Sequence, residues 1–221
     1  MSEYIVIEKV TLCYPHLWEK HAPPGTDNFK YSAEFIMDPY DSVHQHNFKV
    51  IQDAFVKVAT EAGQTSRLQY LQSPLKSGDE ENQRRQAKGR SPRPELTGKW
   101  FIRASDPDYP PEVVAQDPRV RITEAQKDSV FGGCIVNAQL DLYWSGNVQN
   151  PGVYVSPKKI QLVDNVNVQR IAGIGGGGGD AVDVFQKIEG APAPVQPVPT
   201  NVGPTPVPPS APAMPEKMPW E

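Results

Sequence analysis

The stretch from Phe131 to Val163 constrains the fold most, because its first half alternates apolar and polar residues. The apolar series is Val136, Ala138, Leu140 and Leu142, and the polar series is Asn137, Gln139, Asp141 and Tyr143. A period of two is typical of a strand with one buried face and one polar face. Residues 145–152 are rich in Gly, Asn and Pro, which favours a turn before a second strand. We therefore predict two long strands joined by a loop.

Three further strands and one helix are predicted upstream of this pair. The strands are expected at residues 4–14, 29–37 and 99–105, and the helix at about 43–62, where apolar residues recur every three or four positions. No alternation of strands and helices is present, which argues against a parallel sheet. We predict an all-β fold, a five-stranded Greek-key barrel of the OB type with one packed α-helix. The alternative is a β-sandwich that carries one helix.

The composition divides the chain into three regions. Residues 1–172 are predicted to form the barrel, and residues 64–98 within them a long basic loop. Residues 173–190 hold a run of five glycines and a short amphipathic segment, and are interpreted as a linker. Residues 191–221 are rich in proline and are predicted to be disordered, because they have too little apolar surface to bury.

The charge of the chain does not by itself indicate a nucleic-acid partner. The formal net charge is −4, and residues 1–190 carry 21 basic and 24 acidic side chains. Binding to an anionic partner must therefore depend on local patches. Cys13 and Cys134 lie in apolar patterns and are predicted to be buried thiols in a reducing compartment. Without a membrane-length apolar run or a signal peptide, the expected location is the cytoplasm, with no membrane partner.

Common catalytic motifs are absent from the sequence. It contains no G-x-S-x-G, no H-E-x-x-H and no phosphate-binding G-x-x-x-x-G-K. His44 and His46 are interpreted as part of a solvated helix face and not as metal ligands. We therefore predict a protein that is not an enzyme and that has no metal site and no cofactor.

Aromatic and basic residues suggest single-stranded nucleic acid as a partner, because bases stack on aromatic rings and cations follow the phosphates. The aromatic candidates are Trp18, Tyr31, Trp100, Tyr143 and Tyr154. The basic candidates are Lys30, Arg84, Arg85, Lys88, Arg90, Arg103, Lys158 and Lys159. Tyr143 lies on the polar strand face, which favours a binding role, whereas Tyr31 and Trp100 lie on sides expected to face the core. The cluster at 84–103 is balanced in sequence by a single acid, Glu95. It is interpreted as ligand-binding, with a solvated charge run as the alternative.

Several motifs in order along residues 4–170 resemble the phage-encoded single-stranded-DNA-binding proteins, a family long described as a domain of unknown function. They are VTLCYPHLW, FKYSAEFIM, SPLKSGDE, GKWFIRAS, VFGGCIVNAQLDLYW and GVYVSPKKIQLV. The resemblance implies an OB barrel that coats and protects single-stranded DNA without sequence preference. It also implies a role in phage DNA replication, recombination and repair in the cytoplasm of the infected bacterial host, and no catalysis.

Related phage proteins recruit replication partners through an acidic C-terminal tail that ends in an aromatic residue. This tail departs from that pattern, because it is long, rich in proline and poor in acids, although it ends in Trp220 and Glu221. These two residues are predicted to bind phage or host replication and recombination proteins. The alternative function is a non-enzymatic interaction scaffold whose tail recruits replication proteins. The sequence leaves the oligomeric state open, and a homo-oligomer is one alternative.

Overall fold

The computed structural model describes residues 2–23, 25–147 and 151–171. The strands are β1 (Ser2–His21), β2 (Lys30–Met37), β3 (Leu75–Ser77), β4 (Trp100–Asp106), β5 (Glu112–Val114), β6 (Ile135–Ser145) and β7 (Gly152–Asp164). The α-helices are α1 (Ser42–Glu61) and α2 (Gly78–Ala87). Short 3-10 helices occupy Thr65–Tyr70, Pro94–Leu96 and Glu124–Ser129. The predicted linker and proline-rich tail lie outside the described residues.

The seven strands form one sheet in the order β3-β4-β2-β1-β6-β7-β5. Neighbouring strands are antiparallel except β5 and β7, which are parallel. The long strand β1 pairs with β2 through its second half and with β6 through its first half. Lys9 and Tyr14 have positive φ angles of 53° and 47°, and both lie where the register of β1 shifts. Such bulges bend a strand and increase its twist, which lets β1 curl between two partners.

The apolar series of β6 lies in the core, and its predicted alternation is confirmed. Val136, Ala138, Leu140 and Leu142 are at most 1% exposed. Asn137, Gln139 and Tyr143 on the other face are partly exposed. Burial of the apolar series is the main favourable term for this strand, because apolar surface removed from water stabilises the fold.

Helix α1 packs on β1. Asp41 caps the helix by accepting hydrogen bonds from the backbone amides of Val43 and His44. Asn47 bonds to both the amide and the carbonyl of Glu8 at the β1 bulge. The Nε2 atom of His44 lies 3.0 Å from the Lys9 carbonyl oxygen, which accepts its hydrogen.

The interpretation of His44 as part of a solvated helix face is therefore wrong. Its side chain is buried, and besides bonding to β1 it accepts a hydrogen bond from the Asp38 amide. The imidazole satisfies backbone groups at a position where the β1 bulge interrupts the regular ladder.

The expectation of five strands and one helix is incomplete. The sheet contains two further strands of three residues each, β3 and β5, and the predicted basic loop at 64–98 contains β3 and a second helix, α2. Helix α2 carries only polar residues, glycine and one alanine, so it has no apolar stripe to reveal it. The structure is thus mostly β, with a seven-stranded sheet and two α-helices in its described part. None of the helices in that part is long and apolar enough to cross a membrane.

Candidate nucleic-acid interface

Two tyrosines form a pair on the polar face of the β6–β7 hairpin. Tyr143 and Tyr154 are directly opposite in the ladder, and their ring centroids lie 6.2 Å apart at an interplanar angle of 28°. Tyr154 is 41% exposed and Tyr143 is half-buried. The pair presents aromatic surface close to the end of the hairpin, which is the kind of surface on which a base can stack.

Asp106, the last residue of β4, joins this hairpin to the other side of the sheet. Its Oδ2 atom accepts hydrogen bonds from Ser156 at 2.6 Å and from Lys158 at 2.9 Å. Its Oδ1 atom accepts from the amides of Asp108 and Tyr109, each at 2.9 Å. Burial alone would raise the pKa of Asp106, but these hydrogen bonds outweigh it and hold the pKa well below its usual range. The carboxylate is therefore a fixed negative charge that bridges β4 and β7, which are not hydrogen-bonded neighbours.

The β1–β2 hairpin brings further aromatic and basic groups beside Asp106. Tyr31 on β2 is the register partner of Asp106, and the Lys20 ammonium lies 5.5 Å from the centre of the Tyr31 ring. Lys30 precedes Tyr31 and pairs with His21 across the hairpin. Trp18 lies on β1 two residues before Lys20 and is half-buried.

The contact of Lys20 with Tyr31, the pairing of Tyr31 with Asp106 and the bond from Lys158 to Asp106 connect the two hairpins past the end of β4. Lys30 lies next to Tyr31 but on the opposite face of β2. The surface, which we call the aromatic interface, consists of Lys20, Lys30, Tyr31, Asp106, Tyr143, Tyr154 and Lys158.

A second charged group, which we call the ion network, lies on the opposite face of β2 and β4. Arg93 is 3% exposed, and its guanidinium contacts Glu34 at 2.6 Å and Glu95 at 2.8 Å. Arg103 contacts Glu34 at 2.5 Å and Glu81 at 3.2 Å. The remaining members are Arg84, which bonds to Glu81, and Tyr14, whose hydroxyl donates to Glu95. Three arginines and three glutamates thus neutralise one another.

The residues around α2 explain why this segment lies against the sheet. Ser77 caps α2 by accepting a hydrogen bond from the Glu80 amide. A Cβ atom at Gly78 would come within 2.0 Å of the Leu96 carbonyl oxygen, so only glycine fits this approach. Asn82 bonds to both the amide and the carbonyl of Arg93, which holds the segment after the helix in place.

Two of the predicted cations of the cluster, Arg84 and Arg103, are neutralised by acids that lie outside residues 84–103. Glu34 and Glu81 come from β2 and α2 and pair with Arg103 and Arg84. Among the other predicted cations, the Nε atom of Arg85 donates to the Ser91 carbonyl.

The remaining predicted cations differ in how closely they contact a carboxylate. Lys159 lies 3.8 Å from Glu112, a loose contact. Lys88 and Arg90 are exposed and make no ion pair within the described ranges. Lys158 is held by Asp106.

Trp100 lies away from the aromatic interface, at the opposite end of β4 from Asp106. Its ring packs edge-on against Phe48 of α1, with centroids 6.4 Å apart. This position agrees with its expected core-facing side and leaves the ring engaged between β4 and the helix. A stacking role for Trp100 is therefore not supported by its contacts.

The sequence analysis did not single out several residues that the structure brings to this region. Lys20 and Asp106 belong to the aromatic interface, and Tyr4, which is 59% exposed, is the register partner of Asp141 on the polar face of β6. His16 and His21 stack with ring centroids 4.2 Å apart in the β1–β2 hairpin. The alternation of residues in β1 could have indicated that Tyr4 lies on the exposed face of the strand. No local sequence pattern indicated the role of Asp106. Within the described part of the chain, no group of three or more His, Cys, Asp or Glu is placed to hold a metal ion.

Comparison with solved structures places this architecture among single-stranded-DNA-binding proteins of bacteriophages. The structure titled single-stranded DNA-binding protein from bacteriophage Enc34 in complex with ssDNA matches with a TM-score of 0.60 and 18% identity, covering 75% of this chain and 88% of that one. A second structure of the single-stranded DNA-binding protein from bacteriophage Enc34 matches with a TM-score of 0.59 and 18% identity, covering 83% of this chain and 90% of that one. At 18% sequence identity, these two matches show that the fold is similar.

The family follows from the sequence itself. The family model described as Enterobacter phage Enc34, ssDNA-binding protein matches residues 3–191, so the chain belongs to this family. The resemblance stated from the motifs is thereby confirmed. A search of curated proteins gives no match.

Proposed function

We propose that this protein binds single-stranded DNA along the aromatic interface and coats it without strong sequence preference. The observation that carries the proposal is the partly exposed Tyr143–Tyr154 pair, which lies on the hairpin that Lys158 bonds to Asp106. Asp106 is in turn the register partner of Tyr31, whose ring Lys20 contacts. Stacking on aromatic rings is tolerant of sequence, because every base has a π-face. The solved complex of the Enc34 protein with ssDNA and the shared family support the same partner.

We infer that the five longer strands form a partly open OB-type barrel. Strands β4, β2, β1, β6 and β7 are consecutive in the sheet, and Asp106 links its two sides through Ser156 and Lys158. OB folds bind oligonucleotides with the loops of two hairpins and the strands between them. The aromatic interface has this arrangement, because it extends from the β1–β2 hairpin to the β6–β7 hairpin.

The distribution of ion pairs suggests where the phosphates bind. Within the described ranges Lys20 and Lys30 make no ion pair, whereas Arg84, Arg103 and Lys158 each pair with a carboxylate. A cation that already pairs with a carboxylate must give up that contact to neutralise a phosphate. The β1–β2 hairpin is therefore the favoured phosphate-binding element of the interface. Arg85, Lys88 and Arg90 are the other predicted cations that make no ion pair within the described part of the chain.

The biological role that fits this activity is protection of single strands during phage DNA replication, recombination and repair, in the cytoplasm of the infected host. The proposal includes no catalytic step. Recruitment of replication proteins through Trp220 and Glu221 belongs to the same proposal, and it is supported by the sequence of the tail tip alone.

Stacking is tested with Tyr154→Ala and fluorescence anisotropy of a labelled single-stranded oligonucleotide. Loss of a stacked base costs roughly 1–3 kcal/mol, so affinity is expected to fall about 5- to 150-fold. The matched control is Tyr70→Ala, which removes a tyrosine that is 76% exposed and lies outside the interface. Equal affinities for both variants and the unsubstituted protein would place the DNA elsewhere.

Phosphate binding is tested by the salt dependence of the same measurement. Single strands lose about 0.7 in the slope of log K against log salt for each phosphate contact removed. The double substitution of Lys20 and Lys30 by Gln is therefore expected to reduce the slope by about 1.4. Lys49→Gln on α1, an exposed lysine without an ion pair in the described residues, should leave it unchanged. A slope that is the same in all three proteins contradicts the assignment of the hairpin.

A further inference from the structure

The aromatic interface carries opposite charges at its rim and at its centre. The rim at the β1–β2 hairpin holds Lys20 and Lys30. The centre holds the fixed carboxylate of Asp106, and Asp141 lies beside it on β6, opposite Ser156 in the ladder. Lys158, the lysine of the described residues that lies at the centre, is already bonded to Asp106. A single strand that crosses this surface is favoured with its phosphates at the rim and its bases towards the centre, because phosphates are repelled by the carboxylates.

The two carboxylates differ in their remaining capacity to accept hydrogen bonds. Asp106 accepts four, which uses the lone-pair sites of both oxygens. Asp141 is 9% exposed, and Ser2 hydrogen-bonds to its side chain. Its Oδ1 atom is buried and has no hydrogen-bond partner among the residues that the structure describes. An unpartnered oxygen of this kind costs free energy and is rare in folded proteins.

The surroundings of Asp141 place this unused acceptor among the stacking groups. Its side chain shares a strand face with Tyr143, two residues away, and its register partners are Tyr4 on β1 and Ser156 on β7. Burial raises the pKa of Asp141 against the opposing effect of Lys158, which reflects the cost of an ionised group without enough donors. A ligand that supplies an N–H donor would relieve this cost.

We propose that Asp141 Oδ1 accepts a hydrogen bond from the exocyclic amino group of a base stacked on the Tyr143–Tyr154 pair. Cytosine, adenine and guanine carry such an amino group. At the corresponding C4 position uracil and thymine carry a carbonyl oxygen, which repels a carboxylate, and their only donor on this edge is the neighbouring N3–H. The consequence is a bias against uracil and thymine at one position of an otherwise tolerant site. The inference rests on the proposed function, because it concerns the same interface. Oδ1 is covered in the unliganded protein, so the base reaches it as neighbouring side chains rearrange.

Oligo-dC and oligo-dU of equal length provide the cleanest comparison, because the two pyrimidines differ on one edge only. Cytosine has an amino group at C4 and an acceptor at N3, whereas uracil has a carbonyl at C4 and an N–H at N3. Binding is measured by anisotropy at one salt concentration, since affinity for single strands depends on salt. We expect the unsubstituted protein to bind oligo-dC at least about fivefold more tightly than oligo-dU. Asp141→Asn should reduce this ratio to near one, because an amide side chain can donate to the uracil carbonyl as well as accept from the cytosine amino group.

The control is Asp108→Asn, which makes the same change of charge at an exposed aspartate and should keep the preference for oligo-dC. Equal binding of oligo-dC and oligo-dU by the unsubstituted protein overturns the inference, and this comparison decides it even if Asp141→Asn fails to fold. A preference that persists in folded Asp141→Asn overturns it too, because the acceptor is then another group. Failure to bind any oligonucleotide overturns the proposed function together with this inference, so the two failures are distinguishable.

Discussion

Replacing Arg93 with methionine removes the central cation of the ion network while keeping most of the side-chain length. Arg93 is 3% exposed and contacts Glu34, Glu95 and the ring of Tyr14, whose centre lies 4.3 Å from the guanidinium carbon. The backbone bonds between Arg93 and Asn82 do not involve the guanidinium and remain available in the variant.

The expected loss of stability follows from what the substitution leaves behind. The side chains of Glu34 and Glu95 are only 13% and 14% exposed, so water cannot replace the lost cation at either carboxylate. Removing one partner of a buried ion pair costs about 3–5 kcal/mol in the free energy of unfolding, because the remaining charge is buried without compensation. Arg103 still contacts Glu34, which places the expected value in the lower half of that range.

Urea denaturation at several pH values measures this cost and its origin. Burial alone would raise the pKa of Glu95, but hydrogen bonds from Tyr14 and Arg93 outweigh it and lower the pKa. A carboxylate with a lowered folded-state pKa contributes stability at neutral pH that is lost as the pH falls through that pKa. Without Arg93 the part of this lowering that Arg93 supplies is lost, so the pKa of Glu95 rises towards the protonated form that burial favours, although the Tyr14 bond remains. The difference between the two proteins should therefore shrink as the pH falls from 7 towards 4.

Arg90→Met is the matched control, because Arg90 is exposed, lies three residues away and has no ion pair in the described part of the chain. Its effect should stay within about 0.5 kcal/mol, as for most surface substitutions. A cost below about 1 kcal/mol for Arg93→Met, or a cost that does not change with pH, would refute the reasoning. It would show that the buried ion pairs of Arg93 with Glu34 and Glu95 do not hold the segment around Arg93 on the sheet.

Two further predictions concern the C-terminal side of the chain. Gly133→Ala should destabilise the protein by at least about 1 kcal/mol in urea denaturation, because the residue has φ of +114° and a Cβ atom would lie 2.1 Å from the Gln169 carbonyl oxygen. Unchanged stability would show that residues 165–171 shift without cost. Deleting residues 219–221 should leave oligonucleotide affinity unchanged and abolish capture of phage or host replication proteins in pull-down assays. Capture of the same proteins by the shortened chain at the same salt would exclude Trp220 as the anchor.

Local periodicity was sufficient to predict the main strands and the long helix. The alternation in β6 placed Val136 and its series in the core and Tyr143 on the polar face, because successive side chains of a strand point to opposite sides. The apolar stripe of α1 and the glycine that follows it at position 63 were likewise readable from sequence. These features depend on residues close together in the chain, so a local pattern is enough to reveal them.

The tertiary structure decided which charges remain available to a ligand. Arg103 meets Glu34 from 69 residues away and Glu81 from 22 residues away, which makes this member of the basic cluster part of a neutral network. Helix α2 has no apolar stripe. Its position depends on the Ser77 cap, on the close contact of Gly78 with Leu96, and on the hydrogen bonds between Asn82 and the backbone of Arg93. None of these contacts leaves a periodic signal in the sequence.

The sequence by itself determined the family, the strand faces and the residue types of a single-strand-binding surface. Only the folded chain decided where the proposed surface lies, because Asp106 joins strands whose contacting residues are about 50 positions apart. Electrostatic interactions depend on distance in space and not on spacing in sequence, so the same lysines and arginines become either phosphate ligands or structural ion pairs once the sheet is formed.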